Sequence, residues 1–385
     1  MKRLVRNMTA AAAIGAASMA SAETQGVSDT EVLIGAVSDL SGVFAAVGVP
    51  AVNGANLYFN KVNEAGGVHG RQIRYIVEDN GYQMPRAMQG YNKLLNRDKV
   101  FAMMQSLGTP MNLAGFKLMD PKGIPNVNPL TASSQMLMEP MDNKYTGFSD
   151  YVDQGRIGVE YVMGETGATN VCGMYLPNEF GIEVNDGAKH GTEAGGGTWV
   201  GETTHKPDES DFVGSLSKLS ADGCQIAMLA VPVRQAITVV GTAKKMGLTD
   251  MKFIVSSAGF LDVVAAVPGG VTEGLYASAG WQSLAGRADE PAPAAFIEEY
   301  TAAYGEAPSM FAMLGYATAE LLVKALDAAG PDLTHESFQK GMESLDFQDD
   351  LVGNHMTYGP GDHRGAEATY ISQVVDGKWK TLAAK

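Results

Sequence analysis

From residue 31 to residue 256 the chain alternates apolar runs of strand length with segments of helical period, and few folds accommodate such an order. A strand that hands on to a helix and then to a neighbouring parallel strand builds an open sheet with helices on both faces. Residues 32–37 form the first such strand. A helix follows at 50–64, where Ala51, Ala55, Tyr58, Phe59 and Val62 recur with helical period, and it stops at Gly66-Gly67. Strand 72–77, helix 85–96 and strand 100–104 continue the pattern. A second round begins after Gly147, with helices at 153–165, 181–193, 211–219 and 234–246 and strands at 171–176, 197–205, 225–231 and 252–256. Residues 276–281 then read as strand, 292–304 and 310–329 as helices, and 356–358 with 368–375 as a closing hairpin. Neither half carries a Gly/Ser-rich or Pro-rich linker. The expected fold is α/β: two doubly wound open-sheet lobes of similar size facing each other across a cleft.

One stretch shows where a ligand would sit. Residues 100–134 read VFAMMQSLGTPMNLAGFKLMDPKGIPNVNPLTASS: a buried strand, a polar turn, a helix opened by Pro110, a second short strand at 124–128 and another polar turn at 130–134. Pro at the first helical position fixes φ without wasting an amide, and Thr109 before it is expected to be the N-cap. The first turn of that helix would present free N–H groups and a partial positive charge to an anion such as a carboxylate. Both turns lie at carboxyl ends of neighbouring parallel strands, where open α/β sheets hold ligands. The alternative is that Thr109 only caps its helix and the second turn is an ordinary loop.

The first 22 residues place Lys2, Arg3 and Arg6 ahead of a small-residue apolar run ending in Ala20-Ser21-Ala22, the pattern of a cleaved secretory signal peptide. Cleavage after Ala22 would leave 363 residues and put the protein in the periplasm. The net charge is −15, and loss of those three cations takes it to −18, which disfavours nucleic acid and anionic membrane surfaces. Cys172 and Cys224 are the only cysteines. Export favours a single disulfide between them, and two buried free thiols are the alternative. No P-loop, zinc-protease, nucleophile-elbow or dinucleotide-binding pattern is present, and the six histidines are scattered. No enzyme activity, cofactor or metal is therefore expected.

Taken together, VLIGAV, LSGVFAAVGVPAVNGANLYFNKVNEAGGVHGRQIRYIVED, SLGTP, NPLTASS, the step Asp153-Gln154-Gly155, NEFG and DFVGSLSKLSADGCQIAMLA occur in an order that spans nearly the whole mature chain. In that order the chain resembles the periplasmic substrate-binding proteins of ABC transporters of the leucine/isoleucine/valine (branched-chain amino acid) type. The resemblance implies the type I fold, two lobes joined by three crossover strands, with lobe one at 27–147 plus 276–354 and lobe two at 148–275 plus 355–385. It implies a monomer that closes around a small ligand, a branched-chain or other hydrophobic amino acid, and delivers it to an inner-membrane permease complex. Thr109 matches the hydroxyl that takes the ligand carboxylate. Leu130, Thr131 and Ala132 match the turn that offers backbone and hydroxyl groups to the ligand's polar end. Phe180 matches an aromatic residue closing from lobe two, Val47 an aromatic wall in lobe one, and Ser257 the position where amino-acid binders place an acid for the ammonium.

Two departures bear on specificity. Ser257 is not an acid, so an ammonium would need Asp262 or Glu179 instead, and Val47 is smaller than the family's aromatic. Arg234 is a further candidate partner for a carboxylate, against its reading as a solvated helix-start cation. An aromatic or aliphatic carboxylate without an amine is the alternative ligand, and a ligand-sensing module on the same scaffold the alternative role.

Overall fold

A computed structural model describes residues 24–385; the signal-peptide assignment and its cleavage after Ala22 lie outside the described residues. The first lobe is built on β1 (Glu31–Ser38), α1 (Ala45–Glu64), β2 (Gln72–Asp79), α2 (Met84–Asn92), β3 (Ala102–Met104), α3 (Thr109–Met119), β4 (Asn126–Val127) and β5 (Lys144–Tyr145). Its sheet is parallel throughout, in the order β2-β1-β3-β4-β5. The second lobe takes α4 (Tyr151–Thr166), β6 (Asn170–Tyr175), α5 (Glu179–Ala194), β7 (Thr198–Thr204), α6 (Val213–Ala221), β8 (Ile226–Ala230), α7 (Val233–Lys245), β9 (Lys252–Ser256), α8 (Asp262–Ala265) and β10 (Tyr276–Ala279).

The chain then returns to the first lobe with α9 (Pro291–Tyr304), α10 (Met310–Ala329), α11 (His335–Met342) and the antiparallel pair β11 (Asp346–Asp349) and β12 (Asn354–Thr357). It finishes on the second with β13 (Tyr370–Val375) and β14 (Lys378–Ala384), giving a seven-stranded sheet in the order β14-β13-β10-β9-β8-β6-β7. The expected α/β architecture of two wound lobes is therefore present.

Three crossings join the lobes, and they lie side by side. Thr146 pairs with Arg364 as a parallel bridge, the Thr146 N–H donates to the His363 carbonyl at 2.9 Å, and Gly280 lies against Phe148 and Ser149. Their course moves two of the expected lobe boundaries. β10 pairs with β9 and β13, so residues 276–279 belong to the second lobe and the crossing follows Ala279. Met356 and Tyr358 pack in the first lobe's core beside Ile34 and Phe338, so the last crossing also comes later than 355. The expected hairpin of 356–358 with 368–375 is not formed either: β12 pairs back with β11, and β13 with β14.

Within the first lobe, α1 and α10 press together where Gly54 faces the Ala312 carbonyl and Gly315 faces the Ala51 carbonyl, each too close to admit a Cβ. Their approach holds Phe311 and Leu314 of α10 at the cleft. In the second lobe a Cys172–Cys224 disulfide ties β6 to the turn ahead of β8.

Candidate functional site

Each wall of the cleft is made by a strand end and the turn that follows it. After β1, the buried Asp39 accepts the N–H groups of Ser41 (3.2 Å), Gly42 (2.5 Å) and Phe44 (2.8 Å). This fold-back starts α1 at Ala45 rather than at Pro50, the expected start, and leaves Pro50 inside the helix. It brings Phe44 and Val47, each 5 % exposed, to the cleft.

After β3, Ser106 Oγ accepts the Val37 N–H at 3.1 Å, and Asn112 Nδ2 donates to the carbonyls of Ser106 (2.8 Å) and Gly108 (2.9 Å). Gly108 is the cap of α3, in the left-handed region at φ 104°, where a Cβ would also run into Met111 and Tyr82. Thr109 is thus the first residue of α3 and not its N-cap, and no side chain caps this helix. Its hydroxyl is free for another use and meets Thr131 Oγ1 at 2.7 Å.

The turn after β4 is spent partly on the protein itself. The Leu130 N–H donates to the Ser106 carbonyl (2.9 Å), Thr131 Oγ1 accepts the Ser133 N–H (3.2 Å), and the Ala132 carbonyl accepts the Tyr151 N–H (2.7 Å). The second lobe contributes Tyr151 at the start of α4, Phe180 at the start of α5 and Ser257 just past β9. Ser257 is fixed by its N–H, which donates to Gln154 Oε1 at 3.1 Å.

Thr109, Leu130, Thr131, Ala132, Phe180, Ser257 and Val47, the seven residues selected from the sequence, all line one cavity. Together with the open solvent it runs into, its space is about 900 Å³. The aromatic side chains Phe44, Tyr82, Phe148, Tyr151, Trp281 and Phe311 complete much of the wall. Phe44 and Phe180 meet edge to face across the cleft at 6.2 Å, and Tyr151 lies 5.1 Å from Phe180. Burial pushes the Tyr151 phenol up to about 12, against hydrogen bonds with Ala132 and Thr131 that pull the other way; its hydroxyl stays protonated near neutral pH.

Other candidates are not brought in. Asp262 and Glu179 do not line the cavity, and Arg234 stands exposed near the start of α7 without reaching it. The lining cation is Arg364, from the irregular segment between β12 and β13, which sequence periodicity cannot place. It pairs with Asp150 at 2.6 Å and Asp153 at 3.5 Å, and Asp150 in turn caps α4 through the Asp153 N–H at 2.9 Å. Trp281, beyond β10, was also missed as a site residue. Among the described residues no group of three or more His, Cys, Asp or Glu is arranged to hold a metal ion, and no helix is long and apolar enough to cross a membrane.

Chemically, the cavity offers an apolar, aromatic-walled body with hydroxyls at one turn pair and the start of α3 behind them. Such a set suits an anion with a hydrophobic tail. Comparison with known proteins agrees with this architecture. The family model described as periplasmic binding protein matches residues 31–378. An "Amino acid binding protein" of Pseudomonas aeruginosa is 22% identical over 78% of this chain and 79% of its own. Among solved structures, a fatty acid ABC transporter substrate-binding protein from Thermomonospora curvata superposes with a TM-score of 0.84 at 24% identity, over 94% of each chain. A solute-binding protein of an ABC transporter from R. palustris, in complex with benzoate, does so with a TM-score of 0.81 at 19% identity, over 92% of this chain and 96% of that one. With its two wound lobes, three crossings and a family match over nearly the whole described length, the chain belongs to the periplasmic binding proteins.

Proposed function

We propose that the protein captures a small hydrophobic carboxylate without an amine between its lobes and delivers it to an inner-membrane ABC permease. The observation that carries this reading is the charge inventory of the cavity wall. Its acid, Asp150, is engaged by Arg364 and by the α4 N-terminus, and Ser257, at the position where the resemblance implies an acid for an ammonium, brings no charge to the wall. A buried ammonium needs a paired acid to offset its desolvation. A carboxylate needs only donors, and the proton left over by the Thr109–Thr131 hydroxyl pair, with the start of α3, supplies them. The aromatic walls suit an aryl or branched alkyl body. Two structural neighbours, one a fatty acid ABC transporter substrate-binding protein and one in complex with benzoate, are in keeping with such a ligand.

A second reading, a branched-chain or other hydrophobic amino acid, is favoured by the Ala132 carbonyl, which keeps a lone pair beyond the one used by Tyr151. It is also favoured by the amino-acid name of the Pseudomonas relative. Thermal unfolding of protein stripped of co-purified ligand by unfolding and refolding separates the two. Each amino acid is compared with its amine-free acid: leucine with 4-methylpentanoate, phenylalanine with 3-phenylpropanoate. A ligand at a hundredfold its Kd stabilises the native state by about 2.7 kcal/mol. The amine-free acids are expected to raise the melting temperature and the amino acids to leave it unchanged. The opposite pattern establishes the amino-acid reading, and no shift from either panel removes both.

A further inference from the structure

The protein has three tryptophans, and two of their indole N–H groups are paired: Trp199 Nε1 donates to Glu202 at 3.2 Å and Trp379 Nε1 to the Leu261 carbonyl at 2.7 Å. The third, Trp281, is 5 % exposed and its Nε1 is buried with no partner. Buried N–H groups find acceptors as a rule, so an orphan on a cavity wall asks what it is for. Trp281 lies on that wall, held edge to face by Phe148 (5.1 Å) and Phe311 (5.9 Å), two other lining residues. Its place relative to Ser257 follows from the sheet. β9 and β10 run parallel with Ser256 opposite Ser278, so Ser257 and Trp281 leave neighbouring strands at the same carboxyl end.

An indole N–H donates and cannot accept. An ammonium also only donates, so this wall complements it neither through charge at Ser257 nor through the Trp281 N–H. An uncharged oxygen fits: it accepts from the indole. A hydroxyl has in addition a proton to give, and Asn128, a lining residue pressed against Gly147 next to Phe148, keeps a buried Oδ1 without a partner.

We propose that Trp281 holds a second, uncharged oxygen of the ligand, which makes the preferred ligand a hydrophobic carboxylate carrying a hydroxyl on its body. The proposal rests on the carboxylate reading above and narrows it. Filling an orphan donor is worth about a factor of ten in affinity.

Calorimetric titration of the stripped protein compares benzoate with the three monohydroxybenzoates, and 3-phenylpropanoate with its 4-hydroxyphenyl analogue. At least one hydroxylated acid is expected to bind about tenfold more tightly than its parent. In Trp281→Phe that ratio falls to about one, whatever the parent's own affinity becomes. Equal binding of hydroxylated and parent acids by the wild type overturns the proposal, as does a preference that survives in the variant. Should the variant fail to fold, the Trp281 indole N–H resonance of the wild type decides. A downfield shift with the hydroxylated acid and not with its parent supports the proposal, and the same shift with both overturns it. Binding of the parent acids without a hydroxyl preference leaves the carboxylate reading standing, whereas binding of no acid at all removes that reading and this one together.

Discussion

At the scale of single residues, the hydroxyl pair is the feature with the sharpest consequence. Thr109 Oγ1 and Thr131 Oγ1 meet at 2.7 Å, and Thr131 also takes the Ser133 N–H, so the pair is held from one side and can turn a proton toward a ligand oxygen. Thr109→Val keeps the shape and removes the donor. Carboxylate affinity in calorimetry is expected to fall about tenfold, with a melting temperature near that of the wild type. Unchanged affinity would place the carboxylate elsewhere in the cleft. Ser257→Asp tests the other end of the same argument. An acid there restores a partner for an ammonium and repels a second negative charge, so leucine is expected to gain a thermal shift and 4-methylpentanoate to lose at least about tenfold in affinity. A variant that still prefers the amine-free acid would show that position 257 does not set the choice.

At the scale of elements, the disulfide joins β6 to the turn before β8 across a separation of 52 residues. Closing a loop of that length removes chain entropy from the unfolded state, an effect worth about 4 kcal/mol on the loop-entropy scale. The double variant Cys172→Ala with Cys224→Ala is expected to melt well below the wild type, and reductant to lower only the wild type. Matching melting curves would show that the bond constrains nothing the fold does not already constrain. The alternation of elements, Thr109 and the turn at 130–134 are legible in the sequence because apolar period and strand-end turns are local signals, whereas Val47, Phe180 and Ser257 come only from the family resemblance. Other features are not. The start of α1 depends on Asp39 folding the chain back, and a Pro at the sixth position conceals it. Thr109 has the composition of a cap, yet Gly108 takes that place because only glycine is at ease at its positive φ. Arg364 sits in a crossing with no period of its own and Trp281 at the end of a run read as strand, so only the tertiary fold brings them to the cavity.

At the scale of the whole molecule, the lobes touch across the cleft through groups that titrate. Glu183 of α5 accepts the Ser134 N–H of the first lobe at 2.5 Å, and its Oε2 is buried with no partner. Burial holds its carboxyl above the ordinary value; hydrogen bonds from Ser133 and Ser134 oppose the rise and the nearby Asp150 adds to it. Asp262 of α8 is raised in the same way by burial, against the Met310 backbone N–H of the first lobe. Parting the lobes returns both groups toward water and toward their ordinary values, so the closed form binds more protons than the open one. By linkage, closure is favoured as pH falls through the raised values, levels off below the ordinary ones, and is disfavoured as pH rises. A ligand that contacts both lobes reports that balance as affinity, because the population of the closed form multiplies its intrinsic binding. Affinity for an amine-free acid is therefore expected to increase as pH is lowered through the raised values, down to the ordinary carboxylate range in which the ligand itself begins to protonate. Glu183→Gln, uncharged throughout, should bind more tightly than the wild type at neutral pH and show a flatter profile, with Asp262→Asn removing much of the remaining slope. Identical profiles in all three proteins would mean that neither carboxylate changes its surroundings on closure. A slope that flattens in the variants would instead give Glu183 a physical use: its ionised form costs the closed state, so that closing depends on the ligand.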